Sequence, residues 1–205
     1  MESEYRPSKN VLIDDAMIPF KGRLSLKQYM PLKPVKRGIK VWECADSSNG
    51  FVCDLEVYTG KQHDGNPGQG LGHRVVCNLT WPLVGKNHHV FVDNFFNSLT
   101  LAEDLLWDQI YICGTVRGNR QGIPQQIAPS TQRVKRLCQG ESLFLRKGTL
   151  SSLYGRTRSQ FIFWAPNLIL WGTTLSVDGN AMERWFKFPE PQSWKHTTTT
   201  WAVLT

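Results

Sequence analysis

Two stretches decide the fold: Asn10–Arg23, NVLIDDAMIPFKGR, and His88–Phe96, HHVFVDNFF. Each carries an apolar run that meets an aspartate. Asn10–Ile18 reads as a short buried strand broken by Asp14 and Asp15, and His88–Val92 as a buried strand ending at Asp93. A carboxylate inside or just after an apolar strand needs a cation, a hydrogen-bond donor or a solvated cleft, because a bare buried charge is costly. Two such groups on neighbouring strand ends would form a hard-oxygen site for Mg²⁺, an ion that keeps its waters and takes one or two carboxylates. The plainer alternative is that Asp14 caps a turn and Asp93 caps the next helix.

Working outward, Gly38–Ala45 and Phe51–Tyr58 are β-rich runs joined by Asp46-Ser47-Ser48-Asn49-Gly50, whose closing Asn-Gly is a hairpin signal. Lys61–Gly72 reads as a loop; its Gly68, Gly70, Gly72 spacing is a weak phosphate-loop signal, with no strand leading into it. His73–Thr80 is expected to be a short helix. Ser98–Trp107 places Leu99, Leu101, Leu105 and Leu106 at helical spacing, and Ile110–Val116 is again β-rich. The expected order is β-β-β-α-β-α-β, an α/β fold with a mixed sheet flanked by helices. It is the order of the RNase H-like fold, whose nucleases place one carboxylate on the first strand and one just after the fourth, here Asp14 and Asp93. Trp42 and Phe51 read as core residues. His88 and His89 would point to opposite faces of a strand, which argues against a shared metal.

The chain has 205 residues and a formal charge of +7, with 20% charged and 40% hydrophobic residues, which excludes a wholly disordered chain. No apolar run is long enough to cross a bilayer, and the start MESEYRPSK is polar, so neither a membrane span nor a signal peptide is expected. The five Cys are scattered, with no C-x-x-C, which excludes a zinc knuckle and fits an intracellular protein. No acidic residue lies between Ala16 and Lys40, where seven basic ones do. A second basic cluster follows Ile110–Val116. Blocks of positive charge suit a polyanion. Lys21, Arg23, Lys36, Arg37, Arg117 and Arg120 are the candidate phosphate contacts, against the plain alternative of a solvated basic surface.

Residues 5–60 (YRPSKNVLIDDAMIPFKGR…DLEVYTG), HHVFVDNFFNSLTLAEDLL, YICGTVRGNRQGIP and QGESLFLRKGTL follow one another in an order that closely resembles the piggyBac-type transposases and their domesticated derivatives. The resemblance covers roughly residues 5–150. It implies an RNase H-like core, DNA as partner through transposon ends, Mg²⁺ dependence, cut-and-paste chemistry at three Asp, self-association and a nuclear location. Asp14 and Asp93 match the first two Asp as catalytic and metal-binding residues; Asp15 stands where the family usually has Glu. The third Asp belongs to a G-G-V-D motif that this sequence lacks.

The genetic code offers a reason. Thr200–Thr205 can be written ACA TGG GCG GTG TTG ACC, which from the last base of the first codon reads Met-Gly-Gly-Val-Asp. Tyr154–Asn167, in the same shifted frame, can give Trp-Lys-Asp-Lys-Lys-Pro-Val-Tyr-Phe-Leu-Gly-Thr-Gln, which resembles the family's next strand. A change of frame between about Thr149 and Leu153 is therefore expected. It would leave residues 1–150 as an incomplete core and 151–205 as a poorly ordered, out-of-frame tail. That tail holds five of the eight Trp and no hydrophobic period. With Thr205 in the third position, weak binding of a single Mg²⁺ without strand cleavage is expected. The rival expectations are a DNA-binding or transposase-interacting remnant without catalysis, or a product with no selected function.

Overall fold

The computed structural model describes residues 5–60, 70–139, 141–147, 150–156, 160–166 and 202–203. Two units are present, residues 1–114 and 115–205, and the division falls inside a strand.

The first unit is built on β1 (Asn10–Pro19), β2 (Lys27–Tyr29), β3 (Arg37–Asp46), β4 (Val52–Val57), α1 (Leu71–Thr80), β5 (His89–Val92), α2 (Leu99–Trp107) and β6 (Tyr111–Val116). β3 is antiparallel to β1 on one side and to β4 and β2 on the other. β5 lies parallel to β1, and β6 parallel to β5. This is the expected RNase H-like order, with β2 as an added short strand. The β3–β4 hairpin closes as the Asn-Gly signal predicts. Gly50 takes φ 75° and its N–H donates to the Asp46 carbonyl at 2.8 Å.

Two connections carry the chain from β1's neighbourhood to β5 and on to β6, stepping across the sheet in the same direction. Right-handed crossovers then place α1 and α2 on the same face. The contacts agree: His73 Nε2 of α1 lies 3.1 Å from Asp104 Oδ2 of α2. Arg74 and Asn78 of α1 reach Glu56 of β4 at 2.8 and 3.1 Å. Under these helices the core gathers Val11, Ile13, Trp42, Cys44, Val90 and Val92 from the strands with Val75, Val76, Leu101 and Leu105 from the helices, all buried. Each such aliphatic side chain contributes roughly 1.5–3 kcal/mol on burial. The opposite face carries no helix from this unit, and Leu12, Ile18, Leu55 and Val57 stay between 38% and 49% exposed.

The structure differs from the sequence reading in four places. β1 is not wholly buried: Val11 and Ile13 are, whereas Asp14 and Ile18 are exposed, because β1 outruns β5 and its second face is bare. Phe51 is not core; it is 41% exposed and stacks on Tyr5 with ring centroids 4.1 Å apart. Gly72 belongs to α1 rather than to a loop, and a Cβ there would sit 3.1 Å from the Phe95 carbonyl oxygen and from Phe96 Cα. Gly68 and most of that glycine-rich stretch lie outside the described residues.

The fourth difference is in the second unit. It contains the one-turn α3 (Gln132–Lys135) and β7 (Ser142–Lys147), β8 (Leu150–Arg156), β9 (Gln160–Pro166) and β10 (Ala202–Val203). β7, β8 and β9 form an antiparallel meander, and β10 pairs with β7. Leu150 pairs with Lys147 and Gly155 with Ser142, so strand pairing runs through Leu150–Leu153 and continues past residue 150. The poor order expected of the tail, from residue 167 to 201, is an expectation that lies outside the described residues.

Two glycines are fixed by close approach. A Cβ on Gly114 would stand 2.0 Å from the Val92 carbonyl oxygen, and one on Gly38 would stand 2.1 Å from that of Ile18. Gly114→Ala is therefore expected to cost roughly 1–3 kcal/mol or more through overpacking. Gly70→Ala, with nothing within 4 Å, should cost under about 1 kcal/mol. Urea midpoints of the two variants measure the difference.

Acid should act in two stages. Burial, with Lys9 and His88 nearby, lowers His89 to about 4 from 6.5. The fold favours the neutral ring, so stability is level above about pH 6.5 and declines as pH falls towards 4. Burial alone would raise Asp46, but hydrogen bonds from the hydroxyls and backbone N–H groups of Ser8 and Ser48 outweigh it and hold the carboxyl far below its ordinary value. Its share of the stability is present above its unfolded value of 3.8 and is lost below it. Thermal melts from pH 8 to 3 should show both declines; His89→Phe should flatten only the first, and Asp46→Asn only the second.

Candidate metal and nucleic-acid site

In a parallel ladder, residues in register share a face. Leu12 lies beside Phe91, so the next residues on that face are Asp14 on β1 and Asp93, one position past the end of β5. Asp14 also pairs across β1–β3 with Glu43. Both aspartates are exposed. One oxygen of each is occupied locally: Asp14 Oδ1 accepts from the Asp15 N–H at 2.7 Å, and Asp93 Oδ1 accepts from the Phe95 N–H at 2.8 Å. The second bond fixes the turn that takes the chain out of β5. Among the described residues no group of three His, Cys, Asp or Glu could hold a metal ion. Two carboxylates with hard oxygens at a solvated strand end fit an ion that keeps most of its waters.

Asp15 points to the opposite face, in register with Trp42. It is ion-paired, with Oδ2 3.2 Å from Lys33 Nζ and 3.7 Å from Lys40 Nζ. That oxygen has no partner in hydrogen-bond geometry, so the attraction is coulombic. Lys33 Nζ also donates to the Asp15 carbonyl at 3.0 Å. Lys40 Nζ lies 5.7 Å from the ring centroids of both Trp42 and Phe95. One lysine thus ties β1, β3 and the turn after Asp93 together.

Of the predicted phosphate contacts, Lys21, Arg23, Lys36 and Arg37 are all exposed. They flank the carboxyl end of β1 and the amino end of the antiparallel β3, at the sheet end toward which β1 runs on past Asp14. The Arg37 guanidinium sits 5.0 Å from the Tyr29 ring centroid. Arg117 and Arg120 belong to the second unit, in a turn where the Arg120 N–H donates to the Arg117 carbonyl at 3.0 Å. Thr205, the expected third position, lies outside the described residues. His88 is buried with Nδ1 3.0 Å from the Ser8 carbonyl, and His89 meets the Tyr111 ring edge-on at 5.4 Å, so neither is offered to a metal. Burial pushes the Cys44 thiol up to about 12 and the Cys77 thiol to about 11, which makes neither a nucleophile.

The sequence reading missed Lys40 and Asn97. Lys40 alternates with Trp42 on one strand, a detectable pattern. Asn97 is fully buried and gave no signal.

Strand order, crossovers and paired carboxylates define a core of the kind that nucleases and transposases share. The transposase IS4 family model matches residues 1–166, and the chain belongs to that family, in its piggyBac branch. The match runs past residue 150, as the strand pairing does. The chain is 33% identical over 109 residues to human PiggyBac transposable element-derived protein 3, covering 51% of this chain and 18% of that one. It is 26% identical over 180 residues to human PiggyBac transposable element-derived protein 5, covering 79% of this chain and 33% of that one. The structure of a piggyBac transposase synaptic complex with hairpin DNA matches with a TM-score of 0.69 and 28% identity, over 78% of this chain and 34% of the other. The chain therefore spans a third or less of these curated relatives. Among the described residues no helix is long and apolar enough to cross a membrane.

Asp15→Asn leaves Lys33 and Lys40 facing each other without a counter-charge. It should lower stability by about 1 kcal/mol at low salt. The loss should shrink in 0.5 M NaCl, where screening is strong, and paired denaturant titrations measure it.

Proposed function

We propose that this chain is a piggyBac-type transposase core that binds duplex DNA and a single divalent cation but does not cut DNA by itself. The observation that carries the reading is the register of β1 and β5, which puts Asp14, midway along β1, on the same face as Asp93, one position past the end of β5.

Asp14 and Asp93 would hold Mg²⁺ through the oxygens that their local N–H groups do not occupy. When bound, such an ion supplies Lewis-acid polarisation of a phosphoryl oxygen. Phosphoryl transfer by two ions needs both held at a fixed spacing, and on the frame-change reading Thr205 stands in the position of the third carboxylate. Glu43 faces Asp14 across the ladder but forms no three-group cluster with the pair. Asp15 faces away and is neutralised by lysines. Lys21, Arg23, Lys36 and Arg37 would hold DNA phosphates beside the pair, with Arg117 and Arg120 as contacts from the second unit. The likeness to piggyBac-derived proteins and to a transposase–DNA complex supports association with transposon ends and a nuclear location. A change of frame near Thr149–Leu153 accounts for the absent G-G-V-D motif; nucleotide sequence across codons 145–205 tests it directly.

Mn²⁺ titration followed by electron paramagnetic resonance should find one weak site, lost in Asp14→Ala and Asp93→Ala. Duplex binding should tolerate sequence and weaken steeply with salt. Replacing Lys21, Arg23, Lys36 and Arg37 together by Ala should reduce the slope of log K against log salt by up to about 0.9 per phosphate contact removed. Nicking of labelled transposon ends that disappears in Asp93→Ala would refute the non-cutting reading; salt-insensitive binding would refute the phosphate contacts.

A further inference from the structure

We infer that Asn97 is a positioning residue for the Asp93 carboxylate, holding the turn after β5 against β6. The inference rests on the reading of Asp93 as a cation ligand.

β5 ends at Val92, and the chain must leave the sheet at once for Asp93 to be a solvated ligand rather than a ladder residue. Such a turn at a sheet end has few partners of its own. Here it is held at three points. The Phe95 N–H closes on Asp93 Oδ1 at 2.8 Å, and the Asn97 N–H closes on the Asp93 carbonyl at 3.3 Å. The Asn97 side chain then crosses to the next strand, where Nδ2 donates to the Gly114 carbonyl at 2.9 Å. Gly114 is the residue in register with Val92, so the amide grips the sheet beside the point where β5 gives out.

The surroundings leave the turn little freedom. Asn97 is 0% exposed and Phe96 is 2% exposed. Gly72 brings α1 against Phe95 and Phe96 on one side, and Gly114 brings β6 against Val92 on the other; a Cβ at either would press on this segment. The Asn97 Oδ1 atom is buried without a hydrogen-bond partner among the described residues. A buried amide that satisfies only its donor half is costly, and an apolar residue of similar size would avoid that cost. Stability alone therefore does not account for Asn at this position. An amide donor on Gly114, which fixes the turn and with it the direction of Asp93, does.

The test uses the full chain and needs two readouts, one without metal. Asn97→Ala is compared with wild type and with Leu101→Ala, a buried α2 residue whose side chain makes none of the turn's three hydrogen bonds, which serves as a destabilised reference. Amide hydrogen exchange without metal should show the Phe95 and Asn97 amides exchanging at least tenfold faster in Asn97→Ala, with Val90 little changed. Leu101→Ala should speed all three alike. Mn²⁺ affinity should fall about tenfold or more in Asn97→Ala but not in Leu101→Ala. Should Asn97→Ala fail to fold, Asn97→Ser, with a shorter donor, is read the same way and should give an intermediate effect. Unchanged exchange at Phe95 overturns the positioning role. If wild type binds no Mn²⁺, the cation reading falls, while the exchange data still decide whether Asn97 holds the turn.

Discussion

Everything in the first unit depends on the parallel pairing of β1 with β5, in which Val11 lies beside Val90 and Ile13 beside Val92. These four side chains are buried beneath two helices on one face. Non-local parallel pairing earns no local hydrogen bonds in advance, so it has to be driven by the apolar surface the helices close over. The alternation that buries Val11 and Ile13 necessarily turns Leu12 and Asp14 the other way, where both are exposed. The exposed carboxylate and the buried core are thus two consequences of one register. A slip by one residue would bury Asp14 and expose Ile13, which is why the register is strongly specified.

The other aspartate reaches the same surface by a different device. β5 is short, and Asp93 leaves it in a turn whose first hydrogen bond, from the Phe95 N–H, is accepted by its own carboxylate. The glycines at 72 and 114 let α1 and β6 close on that turn, and Lys40 joins it to Asp15 and Trp42. Rigidity at the site therefore comes from backbone packing and one lysine rather than from a network among the carboxylates themselves. That arrangement aims the Asp93 carboxylate through one oxygen, Oδ1, which accepts the Phe95 N–H, and leaves the other for a ligand.

Much of this was legible from local pattern. The alternation in Gly38–Ala45, the Asn49-Gly50 signal, the leucine spacing after Ser98 and the apolar run into Asp93 each report one element whose period a short window contains. What was not legible is long-range. β2 is three residues long and exists only because β3 offers an edge. The pairing of Asp15 with Lys33 joins residues on either side of an excursion with no period of its own. Asn97 gives no signal because its meaning lies in the Gly114 carbonyl, which only the β5–β6 pairing brings near. The meander β7–β9 was obscured by Ser151, Ser152 and Gly155, residues of low strand preference held by partners on both sides.

The charge pattern resolves a conflict between the two ligands the site is proposed to take. Two exposed carboxylates repel a polyanion, and cations close enough to neutralise them would compete with a metal. The sequence separates these tasks by face and distance. Lys33 and Lys40 are spent on Asp15, across the sheet from Asp14, and so add little attraction at the carboxylate pair. Lys21, Arg23, Lys36 and Arg37 stand beyond the strand end, exposed, and none makes an ion pair among the described residues. At physiological ionic strength the screening length is about 8 Å, so charges on the flanking loop act on a bound phosphate far more than on the carboxylates deeper along the strands. Asp15 is the residue that makes this division work: it holds two lysines on the face opposite Asp14, where their charge is neutralised.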